Sequence, residues 1–117
     1  MAIKHETMII NGILALDEKA DLLEWQTFRD GIEIYPIYAD EAGCSSALLK
    51  YAAGSSIPLH RHTGYEHILI LSGSQSDEKQ IYSKGDLVIS APGSSHSIQS
   101  EEGCIVLAIW EKPVAFL

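Results

Sequence analysis

The chain is poor in cysteine, in basic residues and in long hydrophobic runs, and each shortage excludes a class of protein. Two cysteines in 117 residues cannot build a disulfide framework, so we expect buried, reduced thiols of a cytoplasmic protein. Eight Lys and Arg against 16 Asp and Glu give a formal charge of −8 and no basic cluster for nucleic acid or an anionic membrane. The longest apolar runs, such as Cys104 to Trp110, are too short to span a bilayer.

The chain does contain enough apolar residues for one core, since 46% of its residues are hydrophobic. A length of 117 residues suits one closed core rather than two. Met8 to Leu16 is largely apolar, but its weakly basic flank and the lack of a clear small-residue cleavage site argue against a signal peptide. We therefore expect a single globular domain.

Turn signals such as Asp30-Gly31, Lys84-Gly85-Asp86 and Pro92-Gly93-Ser94 interrupt the chain at short intervals. Short strands between them predict an all-β antiparallel sandwich or barrel. Asp17 to Trp25 predicts a single helical turn at most. The predicted strands cover residues 8–14, 32–39, 45–53, 57–62, 65–72, 79–83, 86–90, 95–100 and 103–111.

Two of these strands, 67–71 and 104–110, are apolar on both faces, whereas an antiparallel sheet with one wet face alternates. Counting from Glu66 by twos, Ile68 and Ile70 share its face and are expected to line the interior. Leu69 and Leu71 then point outward and need a cover. The pattern favours a homodimer, and the alternative is that the N-terminal segment covers this face within one chain.

One segment combines two imidazoles and a carboxylate between two glycines: Gly54, His60, His62, Glu66 and Gly73. Residues two apart on a strand point the same way, so both imidazoles are expected to face one cavity. A hairpin turn at residues 63–65 would return Glu66 to their side. Such side chains are the usual ligands of a divalent transition metal.

A second segment, from Gly85 to His96, forms a strand, a tight turn and a further histidine. If it runs beside the first hairpin, His96 completes a site of three imidazoles and one carboxylate. Such a set binds Zn, Fe, Mn, Ni or Cu. It leaves two open positions on an octahedral ion but closes a tetrahedral zinc, so it decides neither the metal nor whether the site is catalytic. His67 is expected on the opposite face, at an interface or behind the ligands.

The first segment resembles the motif G(X)5HXH(X)3E(X)6G of the RmlC-like cupin superfamily at every defined position. The second cupin motif is matched at Gly85, Gly93 and His96, while Ala91 stands where its proline is expected and Ser100 replaces its asparagine. Further likenesses are to the ChrR-type cupins, a group named for the C-terminal domain of a zinc-binding anti-sigma factor. They lie at residues 60–66, 71–73, 76–78, 92–96 and 102–104.

This resemblance implies a double-stranded β-helix, or jelly-roll barrel, with a metal at its centre and often a dimeric assembly. It implies one cupin domain over residues 1–117, with a core at about 22–113 and an N-terminal segment, 1–21, packing on the barrel or on a partner. Tyr65 and His67 replace a glycine and a glutamate common in the ChrR group, which changes the pocket mouth. We expect no anti-sigma activity, because it depends there on a separate helical domain for which this chain has no room.

Two functions remain open at this point. The first is a divalent-metal-dependent enzyme of dioxygenase type acting on a small molecule, with no separate general base and no catalytic residue identified. The second is a non-catalytic zinc-binding sensor or regulatory module. Candidate pocket residues are Tyr51, Tyr65, Ile68 and Ile70, while Trp25 and Trp110 are candidates that ordinary aromatic packing explains equally well.

Overall fold

The computed structural model describes residues 6–117 and confirms the all-β fold. One 3₁₀ helix, Ile13–Leu22, precedes the strands in this part of the chain. None of the helices within residues 6–117 is long and apolar enough to cross a membrane. The strands are β1 Gln26–Arg29, β2 Ile32–Ala39, β3 Ser45–Tyr51, β4 Ser55–Arg61, β5 Glu66–Ser76, β6 Ile81–Ser83, β7 Leu87–Ser90, β8 Ser95–Ser100, β9 Cys104–Trp110 and β10 Ala115–Phe116.

The long strand β5 organises the sheet. The strands pair antiparallel in the order β1-β2-β3-β9-β5-β8-β4-β10, and β6 and β7 also pair with β5. The first half of β5 lies between β9 and β7, so that Glu66 stands opposite both Trp110 and Ser90. Its second half pairs with β6 and reaches β8 at Ser76. One strand therefore joins the two faces of the curled sheet.

The interior of the curled sheet is filled by inward-facing residues of β2, β3, β4, β5, β8 and β9. Ile68 and Ile70 lie in this inner core, at 6% and 1% exposure, as the strand parity predicts. Burying such side chains stabilises the fold by about 1.5–3 kcal/mol each. The other fully buried members of the inner core are Ile32, Leu49, Tyr51, Ile57, Ile98, Cys104, Val106 and Ala108.

The outer face of the same strands packs under the N-terminal segment. Leu71 points outward but is 1% exposed, because Leu16 and Ala20 of the 3₁₀ helix pack against it together with Leu48 and Ile105. From Met8 onward the segment thus covers part of the outer face within one chain, while residues 1–5 of the expected segment 1–21 lie outside the described residues.

The rest of the outer face stays open to solvent. Leu87, Ile89 and Ile109 are 55%, 56% and 36% exposed on strands β7 and β9. Between them, on β5, lies His67, which stands in register with both Ile89 and Ile109. These four residues form a largely apolar stripe across three strands, called here the open outer face.

The predicted strand 8–14 is wrong. Residues 6–10 have no regular structure, and Gly12 turns the chain with a left-handed φ of 68° before the helix begins. The helix is also longer than the single turn expected, although the non-helical angles of Ala15 and Lys19 break it into short pieces. Apolar residues in this segment therefore pack from outside the sheet instead of joining it.

Gly73, the last glycine of the first motif, lies where the backbones of β5 and β9 approach each other closely. The register of β5 against β9 shifts between Ile70 and Ser72, and Gly73 follows with φ of 72°. A Cβ at this position would clash with the Gly103 carbonyl oxygen and lie 2.8 Å from Cys104 Cα. Only glycine meets both demands, the backbone angle and the close approach.

We expect Gly73→Ala to destabilise the protein by about 1–3 kcal/mol more than Gly85→Ala, because overpacking adds to the cost of a left-handed backbone. Gly85 is a matched control, since it has φ of 92° but no atom lies within 4 Å of the place where an added Cβ would stand. Urea unfolding of both variants measures the difference. Equal losses would show that the β5–β9 approach is not the constraint.

Candidate metal centre

Three histidines from neighbouring strands meet inside the barrel. His60 on β4 stands directly opposite His96 on β8, and His62 follows just after β4 ends. All three are buried, at 4%, 1% and 9% exposure for His60, His62 and His96. One ring nitrogen from each lies within 4.8 Å of the others. Three buried imidazoles at this separation could bind a metal ion.

Hydrogen bonds at the outer side of two rings fix which nitrogen is free. His60 Nδ1 donates to the Pro58 carbonyl oxygen at 3.0 Å, and His62 Nδ1 donates to the Ser94 carbonyl oxygen at 3.1 Å. The Ser94 hydroxyl, whose own hydrogen goes to the Ala91 carbonyl, accepts from the same His62 nitrogen. Because Nδ1 carries the hydrogen in both rings, each Nε2 presents a lone pair.

His96 supplies the most direct sign of a cation site. Its Nε2 is a buried atom that finds no hydrogen-bond partner within residues 6–117. It lies 3.9 Å from Oε1 of Glu66. Leaving such a group unpaired costs about 1–3 kcal/mol. A bound cation would remove this cost, so the residues present fit a metal ion.

Glu66 lies beside two of the three imidazoles. Its Oε1 is 3.1 Å from His62 Nε2, and its Oε2 accepts a hydrogen bond from the Trp110 indole at 2.8 Å. Because the Nδ1 hydrogen of His62 is already donated to Ser94, the short contact joins two acceptors. Either a proton or a metal ion must stand between them.

The pKa values describe the form that holds a proton there. Burial alone would lower the pKa of His62, but the hydrogen bond and charge of Glu66, with the Ser94 carbonyl, raise it overall. Burial would raise the pKa of Glu66, yet His62 and the Trp110 donor lower it overall. Burial, with the nearby His60, lowers the pKa of His96. These directions favour a neutral His96 and a proton held between His62 Nε2 and Glu66 Oε1 in the metal-free form.

A small apolar cavity of about 50 Å³ lies next to the rings of His60 and His96. Phe116 of β10 lines it, with its ring centre 5.9 Å from that of His60 and 4.8 Å from the Arg29 guanidinium. The cavity is lined by Phe28, Leu49, Ile57, His60, Glu66, Ile68, Gln75, His96, Ile98, Trp110, Val114 and Phe116.

The candidate pocket residues occupy three different surroundings. Ile68 belongs to the inner core and also lines the cavity, whereas Ile70 and Tyr51 belong to the inner core without lining the cavity. Tyr65 is 49% exposed and does not line the cavity. Sequence reasoning missed Phe28 and Phe116, because they belong to β1 and β10, two short strands without an alternating pattern.

Known proteins resemble this chain in sequence and in fold. The family model described as ChrR Cupin-like domain matches residues 18–114. Anti-sigma-E factor ChrR of Cereibacter sphaeroides is 30% identical over 96 residues, which are 80% of this chain and 45% of ChrR. The chain thus spans less than half the length of this curated relative.

Solved structures show the same fold. ChrR in complex with Rhodobacter sphaeroides SigE matches with a TM-score of 0.67 and 28% identity over 76% of this chain and 49% of that one. An RmlC-like cupin of Ralstonia eutropha JMP134 matches with a TM-score of 0.75 and 24% identity, over 80% of this chain and 66% of that one. An acetylacetone dioxygenase of Acinetobacter johnsonii matches with a TM-score of 0.76 and 14% identity, over 100% of this chain and 80% of that one. The fold is therefore the cupin barrel.

We expect Trp110→Phe to weaken divalent-metal binding about 10-fold or more, because Glu66 Oε2 loses the donor that orients it. Trp25→Phe is the matched control, since its indole donates to the Ala20 carbonyl on the outer side of the barrel. Competition with a chromophoric chelator measures affinity, and urea unfolding measures stability. A similar affinity in both variants would mean that the Trp110 bond serves packing alone.

Proposed function

Since this chain belongs to the ChrR cupin-like family, we propose that it is a divalent-metal-dependent enzyme of dioxygenase type acting on a small molecule. One observation carries the proposal: a buried imidazole nitrogen of His96, without a hydrogen-bond partner among residues 6–117, faces Glu66 beside an apolar cavity. Sites of this kind, apolar with a few convergent polar groups, are where small molecules bind.

The proposed ligands are His60, His62, Glu66 and His96, and the proposed ion is Zn, Fe, Mn or Ni. Nitrogen and carboxylate donors together suit these metals. When bound, the ion supplies Lewis acidity and, if it is iron, an adjacent position for dioxygen. The Pro58 and Ser94 carbonyls hold His60 and His62 in the binding tautomer, and Trp110 holds Glu66.

The side chains around the cavity would select and shield the substrate. Phe28, Ile68, Trp110 and Phe116 present apolar walls beside the rings of His60 and His96. Ligand pockets usually enclose about 300–1,000 Å³, so a cavity of about 50 Å³ suits only a very small ligand. Small β-diketones and hydroxy-ketones are the proposed substrate class.

The second candidate function is a non-catalytic zinc-binding sensor or regulatory module. Its support is the similarity to ChrR, which is described as an anti-sigma-E factor. A redox response at Cys104 does not fit, because burial raises the pKa of that thiol to about 11 and thiolate is the reactive form. Such a module would instead respond to a ligand in the cavity.

We also propose that the protein works as a homodimer joined through the open outer face. Because a net charge of −8 makes copies of the chain repel each other, a contact between two copies needs a surface without carboxylates. Leu87, Ile89 and Ile109 form an apolar stripe of this kind, which suits a two-fold contact of a surface with itself. The proposed location is the cytoplasm, supported by the free thiols of Cys44 and Cys104.

We expect protein purified without oxygen to contain about one divalent transition ion per chain, and His60→Ala or His96→Ala to lose most of it. His67→Ala is the matched control, because that residue lies on the outer face beside Ile89 and Ile109. Elemental analysis measures the content. If the wild-type chain binds no metal even after reconstitution, the proposed function is wrong.

Oxygen uptake then separates the two functions. With iron in the site, we expect oxygen consumption on at least one compound of a β-diketone and hydroxy-ketone panel, lost in His96→Ala. Zinc in a closed tetrahedral site, with no turnover of any compound, would contradict the enzyme and support the sensor.

We expect Ile89→Asp to convert the dimer to a monomer, because it places like charges opposite each other across the open outer face. Ile81→Asp is the control, since Ile81 is also exposed, at 71%, but lies on β6 away from this face. Sedimentation equilibrium gives the mass of each variant. A monomeric wild type, or a dimer that survives Ile89→Asp, would rule out this interface.

A further inference from the structure

We propose that Asp77 is a positioning residue that sets the tautomer of His96 and so prepares its Nε2 to bind the metal. The inference rests on the proposed metal site. It concerns His96, whose Nδ1, unlike that of the other two histidines, has no backbone carbonyl partner within residues 6–117. His60 and His62 are oriented by carbonyl oxygens, whereas His96 Nδ1 faces a carboxylate, Asp77 Oδ2, at 3.4 Å.

The Asp77 carboxylate is held in place before any metal arrives. Its Oδ1 accepts the backbone amides of Lys79 at 2.9 Å and Gln80 at 3.2 Å, which closes the β5–β6 turn. Its Oδ2 accepts the Tyr82 hydroxyl at 2.9 Å. The side chain is 7% exposed in contact with His96. Three donors aimed at one carboxylate leave a single acceptor direction, the one that faces the imidazole.

Glu78, which follows Asp77 in the sequence, holds the backbone of β8, the strand that carries His96. Glu78 accepts the Ser97 amide at 2.9 Å and the Ser97 hydroxyl at 2.6 Å. Ser97 follows His96 directly on β8. The β5–β6 turn therefore holds β8 at two successive positions, one through the His96 ring and one through the Ser97 main chain.

This arrangement determines what His96 can do. A carboxylate can only accept, so it selects the Nδ1–H form of the ring and leaves a lone pair on Nε2. Nε2 is the atom that is buried and unpartnered among residues 6–117. A carboxylate behind a ligating imidazole also raises its basicity, and losing such a partner typically lowers metal affinity by about 10–100-fold.

An asparagine at this position has the shape of aspartate but the wrong donors. If its oxygen accepts the Lys79 and Gln80 amides, its NH₂ faces His96 and favours the opposite tautomer, with the hydrogen on Nε2. If the amide is flipped, its NH₂ faces two N–H donors in the turn. Asp77→Asn therefore tests the chemistry of the contact with little change in shape.

The first measurement uses metal-free protein labelled with ¹⁵N, in which long-range ¹H–¹⁵N correlations report the tautomer of each histidine. We expect His96 as the Nδ1–H form in wild type and as the Nε2–H form in Asp77→Asn. Asp86→Asn is the control, because Asp86 closes the next turn by accepting the Ser83 amide and is exposed. We expect it to leave the spectrum of His96 unchanged.

The second measurement is Co²⁺ affinity by chelator competition, with the visible spectrum of the bound ion. We expect Asp77→Asn to bind Co²⁺ about 10–100-fold more weakly and to shift the visible spectrum. Tyr82→Phe should change the affinity and the spectrum in the same direction but by less. Asp86→Asn should match wild type in both. Tyr82→Phe keeps the Asp77 turn and carries the test if Asp77→Asn does not fold.

Wild-type tautomer and affinity in Asp77→Asn, or in Tyr82→Phe if the former is unfolded, would overturn the inference. A wild-type chain that binds no Co²⁺ would overturn the proposed function instead. In that case the tautomer measurement on the metal-free protein still decides whether Asp77 controls His96.

Discussion

The structure depends on a cluster of hydrogen-bond acceptors, the histidine nitrogens and the Glu66 carboxylate, inside the barrel. The outer nitrogens of His60 and His62 donate to carbonyl oxygens, so their inner nitrogens carry lone pairs toward Glu66 and toward the Nε2 of His96, which has no partner in the described part of the chain. Such a group of acceptors is unstable in a dry interior unless something positive stands among them. A shared proton between His62 and Glu66 meets part of this demand, and a divalent ion would meet all of it.

The rest of the fold serves to bring these residues together. β5 delivers Glu66 opposite Trp110, and its bulge before Gly73 lets the strand continue against β6 and β8, where His96 is held. The pairing of β4 with β8 sets His60 directly opposite His96. The site is therefore built on strands, which are stiffer than loops, and only His62 lies just beyond a strand end.

Much of this was predictable because strand parity and motif spacing are local properties. The spacing of His60, His62 and Glu66 predicted a shared inner face, and the strands near 32–39, 45–53 and 95–100 follow from their turn signals. The error at residues 8–14 arose because an apolar segment packs equally well on a sheet from outside as within it. Phe28 and Phe116 were missed because β1 and β10 are short and β10 owes its place to a pairing partner distant in sequence. The hydrogen bond from Trp110 to Glu66 joins residues 44 positions apart, and no local pattern encodes it.

The central claim is that these imidazoles and Glu66 bind one ion through nitrogen and oxygen. X-ray absorption spectroscopy of the metal-loaded chain tests it most directly, because multiple scattering from imidazole rings counts the histidines bound to the metal. We expect three imidazoles and one further oxygen ligand from the chain, with one imidazole fewer in His96→Ala. A spectrum with no imidazole scattering, or one unchanged in His96→Ala, would contradict the account.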